Sequence, residues 1–556
     1  MSQNYFFTVV TALVTTGVLA TVSLSAGAQQ TSAAQASPPA EAVVRFRLVD
    51  ITLVGATLLK EEQWRPAIAA LAGQDISFAQ LEAARAAIEA VFHAQGWRLA
   101  TVRIPAQSLT DGIVRMQAIE PRLKSVSVKR GGALGADGTL DWRTTLPALF
   151  EGSTPNLNAL DRQLLLANEN SARRVQVTFA AAGAPNELSA EIQTNEAVPT
   201  SITAFVDNTG SVQTGRLRYG LAWRHNNLWD LGHQLNVQAT SAPHNKDEPH
   251  KLSLLPSSNV QVFGLGYRAP LPQQAAMVDV NLGYSNVDSG ILNGVFNVAG
   301  KGSTAALKYT QLLERTGRWE PRWFAGLDRR HYDSQLLFGS VNLATPIELR
   351  PLQLGFSVNM APTPQQPLAV NVYASLHANL PGGAAGDQAS FTSTRQGAPA
   401  RYKLLRAGLG TQVPAGNWQL SATLDAQISR DMLVSGEQLA AGGATSVRGF
   451  SNRGISGDSG LRVQLEATGP NWLGEDTQGT DRTSLRGVAF IDAAATRLNQ
   501  PAVLELASAS IASAGVGLRG TFGPATLRLD VAKALRQRNG AAPVWGAVHF
   551  SALVNF

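Results

Sequence analysis

The chain has 556 residues, enough for several domains, and charged residues make up only 15% of it against roughly 25% in ordinary soluble domains. It contains no cysteine, which excludes a disulfide framework, a thiolate zinc site and a cysteine nucleophile. The net charge of +6 comes without a dense Lys/Arg run, which speaks against nucleic acid as a partner, while 51 glycines and a mean hydropathy of −0.03 suit a membrane barrel of alternating strands.

Residues 5–24 are apolar and β-branched, with no charged side chain, and Ala26-Gly27-Ala28 supplies a small-x-small cleavage pattern. Residues 1–28 read as a secretory signal peptide, although no Lys or Arg precedes the apolar run. An uncleaved anchor is the other reading of that run. Residues 29–42, rich in Ala, Ser, Gln and Pro, read as a linker.

Residues 43–123 read strand, helix, helix, strand, strand. Phe46-Arg47-Leu48 and Ile51-Thr52-Leu53 are apolar at alternate positions, with a bulge expected between them. A helix is expected over residues 60–71. Ser77 and Gln80 form a capping box for the next, whose Leu81, Ala84, Ile88, Val91 and Phe92 keep helical spacing up to Gly96. Residues 97–104 and 113–119 read as paired strands, joined by a turn that holds Pro105 and Gln107. Residues 124–198 repeat the plan. A helix is expected over residues 142–150 and a second after Pro155, with Leu157, Leu160 and Leu164 on one face. Two alternating strands follow, around Val177 and Ala190.

Residues 199–556 change to long alternating strands. Three precede Phe263; others centre near Phe263, Val280, Leu307, Phe324, Leu354, Val372, Leu409, Leu424, Leu465, Val488, Val516, Leu529 and Phe550. The total is about sixteen, and an even count is expected of a bacterial outer-membrane barrel. Val548, Phe550, Ala552, Val554 and Phe556 share one parity, with polar His549, Ser551 and Asn555 on the other. One face meets lipid and the other the lumen. A soluble β-sandwich is the competing fold.

Within this train, residues 440–460 form a loop holding Gly442-Gly443 and then Val447-Arg448-Gly449-Phe450. An Arg among small residues beside an aromatic is odd at an exposed tip. It fits a loop folded into an enclosed space, where the guanidinium meets a carboxylate. The best candidate is Asp492, in Phe490-Ile491-Asp492 on a later strand. Other motifs carry less. Gly515-Val516-Gly517-Leu518-Arg519-Gly520 matches a dinucleotide fingerprint but lies in a strand, without the helix N-terminus that holds a pyrophosphate. Gly457-Asp458-Ser459-Gly460 reads as a turn entering a strand rather than a nucleophile site. The eight histidines are scattered. No enzyme, cofactor or metal site is expected.

The Val-Arg-Gly-Phe stretch, the Phe-x-Asp strand, the Pro105-x-Gln107 turn and the hairpin around Asn208 together resemble the two-partner secretion transporters, the TpsB family. The resemblance runs from about Val43 to Phe556. It implies a transmembrane β-barrel preceded by two periplasmic α+β POTRA domains in the Gram-negative outer membrane. It further implies export of a large secreted exoprotein, with lipid around the barrel. Within it Arg448 sits inside the barrel and pairs with Asp492, Glu466 is able to share the Arg, Gly449 lets the backbone turn and Phe450 packs on the inner wall. Asp492→Ala is then expected to leave Arg448 unpaired. The terminal Phe556 resembles the tag read by the barrel-assembly machinery. Two features depart from the family. Asn170-Ser171 replaces a Pro-Gly after the second module's last helix, and residues 29–42, with Pro38-Pro39, leave little room for a plug helix. A POTRA-barrel assembly factor is the alternative; such factors usually carry more POTRA domains.

Overall fold

The computed structural model describes residues 45–133, 140–184, 186–210, 216–245, 248–252, 260–286, 290–292, 296–298, 301–333, 337–338, 341–342, 346–474, 483–502, 506–538 and 547–556. The expected signal peptide, the linker and any plug helix lie outside the described residues.

The first module holds β1 (Arg45–Arg47), β2 (Asp50–Val54), α1 (Glu61–Trp64), β3 (Asp75–Ser77), α2 (Phe78–Ala94), β4 (Thr101–Arg103) and β5 (Ile113–Ile119). The expected bulge between β1 and β2 is instead a change of partner. β1 pairs with β3, and β2 runs parallel to β5 in the sheet β2-β5-β4. The expected helix over 60–71 stays α-helical only to Trp64 and continues as a 3₁₀ helix, Arg65–Leu71. Pro66 explains the change: it lacks an N–H and its ring crowds the carbonyl four residues back. β4 is shorter than the expected strand because residues 97–100 form a turn, with Ala100 N–H donating to Trp97 O at 3.0 Å. Ser77 and Gln80 cap α2 reciprocally, and its Leu81, Ala84, Ile88 and Phe92 are buried against Ile51, Ile76 and Met116.

The second module repeats the plan with β6 (Arg122–Gly132), α3 (Trp142–Thr145), α4 (Leu157–Asn168), β7 (Arg173–Ala181) and β8 (Glu187–Glu196), in sheet order β6-β8-β7. The helix expected over 142–150 ends at Thr145. Pro147 drives Leu146 out of the helical region, to φ −126° and ψ 60°.

The barrel strands are β9 (Thr200–Asp207), β10 (Arg218–Leu228), β11 (His233–Ser241), β12 (Val262–Leu271), β13 (Ala276–Ser285), β14 (Gly302–Leu312), β15 (Trp319–Tyr332), β16 (Pro351–Met360), β17 (Ala369–Asn379), β18 (Lys403–Ala415), β19 (Trp418–Ile428), β20 (Ser459–Asn471), β21 (Thr483–Arg497), β22 (Ser508–Phe522), β23 (Ala525–Arg538) and β24 (Ala547–Asn555). A short segment, Ile347–Leu349, extends β16 along β15. Each strand is antiparallel to the next and β24 returns to β9, so among the described residues sixteen staves close a cylinder. The closing seam has five paired residues, Ser551↔Asp207 through Asn555↔Thr203, against fifteen between β21 and β22. Phe556 extends the seam by exchanging backbone hydrogen bonds with Ile202, at 2.8 and 3.1 Å.

Alternation sets the two faces. Leu527, Leu529 and Val531 on β23 are exposed outward, while Asp530 between them is buried inside. Leu352, Leu354 and Phe356 on β16 and Trp319, Trp323 and Leu327 on β15 continue the apolar outer band. The second module docks on the short turns at one end. Leu165 and Leu166 of α4 pack on Met277 and Leu312, Asp161 pairs with Arg315 at 3.2 Å, and Arg162 pairs with Glu314 at 3.0 Å. That end faces the periplasm; the longer connections lie at the other. There α5 (Gln388–Thr394) buries Phe391 among Tyr332, Leu349, Tyr402, Leu433 and Val434.

Candidate functional site

The connection from β19 to β20, residues 429–458, starts at the outer end and turns inward. Leu439–Ala441 pairs antiparallel with Ile455–Gly457, so the segment is a hairpin. Its Val447 and Phe450 are buried with Ala441, Ile455 and the wall residues Ala494 and Ile511. Apolar burial therefore seats the tip. Gly449 takes φ +93°, which an L side chain adopts only with strain, and its N–H donates to His549 Nε2 at 3.3 Å.

The tip places Arg448 against the wall, 1% exposed. Its Nε and Nη2 donate to the two oxygens of Asp492 at 2.7 and 2.8 Å, a bidentate pair. Its backbone N–H reaches the same carboxylate at 3.1 Å. Nη1 donates to Glu466 at 2.9 Å and lies 3.6 Å from Asp530. The guanidinium carbon sits 3.4 Å from the centroid of the Phe490 ring, so Phe490 forms a floor beneath the cation. Strand parity explains the set: Phe490 and Asp492 are two apart on β21 and point the same way. Asp492→Ala therefore would not strip Arg448 of partners, contrary to expectation, because Glu466 and Asp530 stay within reach.

Three members were missed in the sequence. Asp530 is buried and takes hydrogen bonds from Arg519 and Arg528, each at 2.7 Å, and Arg519 also reaches Glu466 at 3.2 Å. Three cations thus face three carboxylates. Strand parity places these residues inside the barrel but does not reveal which of them meet. The Gly515-x-Gly517 run serves this cluster. A Cβ on Gly515 would collide with the Val531 carbonyl and the Phe490 ring, and one on Gly517 with the Asp530 carboxylate and the Leu529 carbonyl.

The base of the hairpin has its own anchors. Glu437 is fully buried and accepts from Arg330 at 2.6 Å and Arg406 at 3.2 Å. Asp458, read from the sequence only as part of a turn, is also fully buried. It pairs with Arg395 at 2.5 Å and accepts from the N–H groups of Leu433 and Asn499 at 2.9 and 2.7 Å. Gln427 Nε2 ties both limbs together, donating to Glu437 O at 2.9 Å and Asp458 O at 3.1 Å.

The remaining candidates lie apart from this cluster. Gln107 folds its amide onto the backbone of Arg115, donating to its carbonyl at 2.7 Å and accepting from its N–H at 2.8 Å, while Pro105 O takes a longer bond at 3.3 Å. Phe556 is exposed at the periplasmic end of the seam. Asn170, at the departure from the family pattern, is buried and donates to Asn226 O at 2.6 Å, which joins the second module to β10. Among the described residues no group of His, Asp and Glu is placed to hold a metal ion.

Comparison with known proteins matches this architecture. The family model described as haemolysin secretion/activation protein ShlB/FhaC/HecB matches residues 189–520, and the ShlB-type POTRA domain model matches residues 46–121. The outer membrane transporter CdiB-2 of Burkholderia pseudomallei (strain 1026b) is 24% identical over 144 residues, which is 26% of this chain and 24% of that protein. In structure the chain is similar to CdiB from Escherichia coli, with a TM-score of 0.73 and 20% identity over 95% of this chain and 93% of that one. It is also similar to CdiB from Acinetobacter baumannii, with a TM-score of 0.68 and 15% identity over 99% and 97%. At these identities the two structures speak for the fold. The family match spans more than half of the chain, and the chain belongs to the haemolysin secretion/activation (ShlB/FhaC/HecB) family of outer-membrane transporters.

Proposed function

We propose that the chain exports a large unfolded exoprotein through its barrel, after removal of residues 1–28 as a signal peptide. Residues 43–123 and 124–198 act as the capturing modules and residues 199–556 as the conduit. The observation that carries this reading is a closed barrel whose lumen is occupied by a loop of its own, held by ion pairs and apolar packing rather than by covalent bonds. Such a loop can leave and return.

Capture can use the sheet edges. β2 and β4 flank the first sheet, and β6 and β7 the second. An extended chain adding to such an edge gains backbone hydrogen bonds with little demand on its sequence. Passage then uses a barrel wide enough for an aqueous channel. Folding outside prevents return, so no nucleotide is consumed.

In this reading Val447, Arg448, Gly449 and Phe450 form the gate. Asp492, Glu466 and Phe490 form its seat, Pro105 and Gln107 brace the first module, and Phe556 serves the barrel-assembly machinery. The experiment is secretion of a co-expressed exoprotein, encoded beside this gene, into the medium. Arg448→Ala should abolish secretion while the barrel still inserts in the outer membrane. Normal export by that variant removes the loop from the mechanism, and an inserted barrel that exports nothing but restores other barrels favours assembly.

A further inference from the structure

The hairpin crosses two sectors of the lumen wall that differ in charge. Toward the outer end lie Arg330, two residues from the end of β15, and Arg406 on β18, with the wall acid Asp328 bonded to Arg330. Glu437 supplies the second carboxylate there. Deeper, on β20 to β23, lie Glu466, Asp492 and Asp530 with the wall cations Arg519 and Arg528. Arg448 supplies the third cation. Without Glu437 the wall cations Arg330 and Arg406 face one carboxylate, Asp328, and without Arg448 the three deeper carboxylates face two cations.

We propose that Glu437 is a second positioning residue of the gate, and that the hairpin is clamped at two seats of opposite sign, Glu437 between wall cations near the outer mouth and Arg448 among wall carboxylates at mid-depth. An unmatched charge in a confined site is strongly disfavoured, so each end holds the hairpin independently. The two ends also have opposite signs, so releasing one leaves a field that releasing the other does not. This holds whatever the barrel exports.

The test is ion selectivity. Purified full-length protein is placed in planar bilayers under a KCl gradient, and reversal potentials are compared for wild type, Glu437→Gln, Arg448→Gln and the double variant. Glu437→Gln should shift the reversal potential toward anion selectivity and Arg448→Gln toward cation selectivity, with the double variant between them. A merely loosened loop would shift both single variants the same way, and that result overturns the proposal. A second measurement does not need current. The chain lacks cysteine, so Thr445→Cys, at an exposed tip position, gives one reactive site for a maleimide. Its labelling should accelerate several-fold on adding Glu437→Gln and return to the parent rate with Glu437→Asp. A rate insensitive to Glu437→Gln also overturns the proposal.

Discussion

One carboxylate oxygen of Asp492 binds Arg448 twice: Oδ2 accepts from the side-chain Nε at 2.7 Å and from the backbone N–H at 3.1 Å. The acid therefore fixes both the direction of the side chain and the bend of the loop. Asp492→Asn keeps the shape but turns an amide NH₂ or a weaker acceptor toward a guanidinium. Removing one partner of a buried ion pair costs about 3–5 kcal/mol; the loss here should fall at or below the low end, because Glu466 remains. Trypsin should cut at Arg448 or Arg453 in this variant and not in wild type, while the barrel keeps its heat-modifiable migration on gels. An uncut loop would show that the apolar seat alone suffices.

Phe490 contributes through its ring face. Phe490→Leu keeps an apolar side chain but removes the π system, with an expected loss of about 0.5–2 kcal/mol, less than for Asp492→Asn. Gly515→Ala should loosen the loop at least as much, because the new methyl meets both the Phe490 ring and the Val531 carbonyl of the next strand. Loop proteolysis at least as fast as in Phe490→Leu is the expected result; an unaffected Gly515→Ala protein would contradict the packing argument.

The joint between the second module and the barrel combines the buried Asn170–Asn226 bond, the ion pairs Asp161–Arg315 and Arg162–Glu314, and the part-buried Glu169, which pairs with Arg322 and lies 3.7 Å from Arg268. Asn170→Ala leaves the Asn226 carbonyl unsatisfied, which costs about 1–3 kcal/mol. Asp161→Arg sets like charges together, yet exposed pairs are each worth only about 0.2–1 kcal/mol. The swap Asp161→Arg with Arg315→Asp should restore the joint only in part, because Arg315 also lies 3.5 Å from Glu320. Hydrogen exchange of α4 in the detergent-solubilised protein reads both effects, and the Asn170→Ala change should be the larger.

Gln107→Leu removes two side-chain bonds to the backbone of Arg115 and should destabilise the turn by about 1–3 kcal/mol. The expected readout is protease nicking between residues 105 and 112 with the barrel intact. Equal resistance to wild type would mean that the turn holds by its backbone alone.

Much of this was legible in the chain. Each strand centre named from alternation lies within a stave, because a wall with lipid on one side and water on the other imposes period two. Leu527, Arg528, Leu529 and Asp530 show it directly. Three of the four departures in the modules trace to local signals in the chain, Pro66, Pro147 and the turn after Gly96; the fourth, the change of partner between β1 and β2, depends on strands distant in sequence. The loop was readable as far as Arg448 facing Asp492. Glu437, Asp458, Arg519, Arg528 and Asp530 were not, because parity assigns a side chain to the inner face without saying which other inner side chain it meets across many residues of sequence. Gly515 and Gly517 matched a nucleotide motif for an unrelated reason, the space needed by Phe490 and Asp530.

The five-residue seam between β24 and β9 governs the order of biogenesis. Its two edges stand about 340 residues apart in sequence, and the Asn208–Val548 bond beside it spans 340. Contacts this distant are slow to form, since the entropy of the intervening chain must be lost before they stabilise anything. Of the sixteen staves the last in chain order must find the first, so no cylinder lacking β24 can shut. The polypeptide has to be kept open and unaggregated until β24 is at hand.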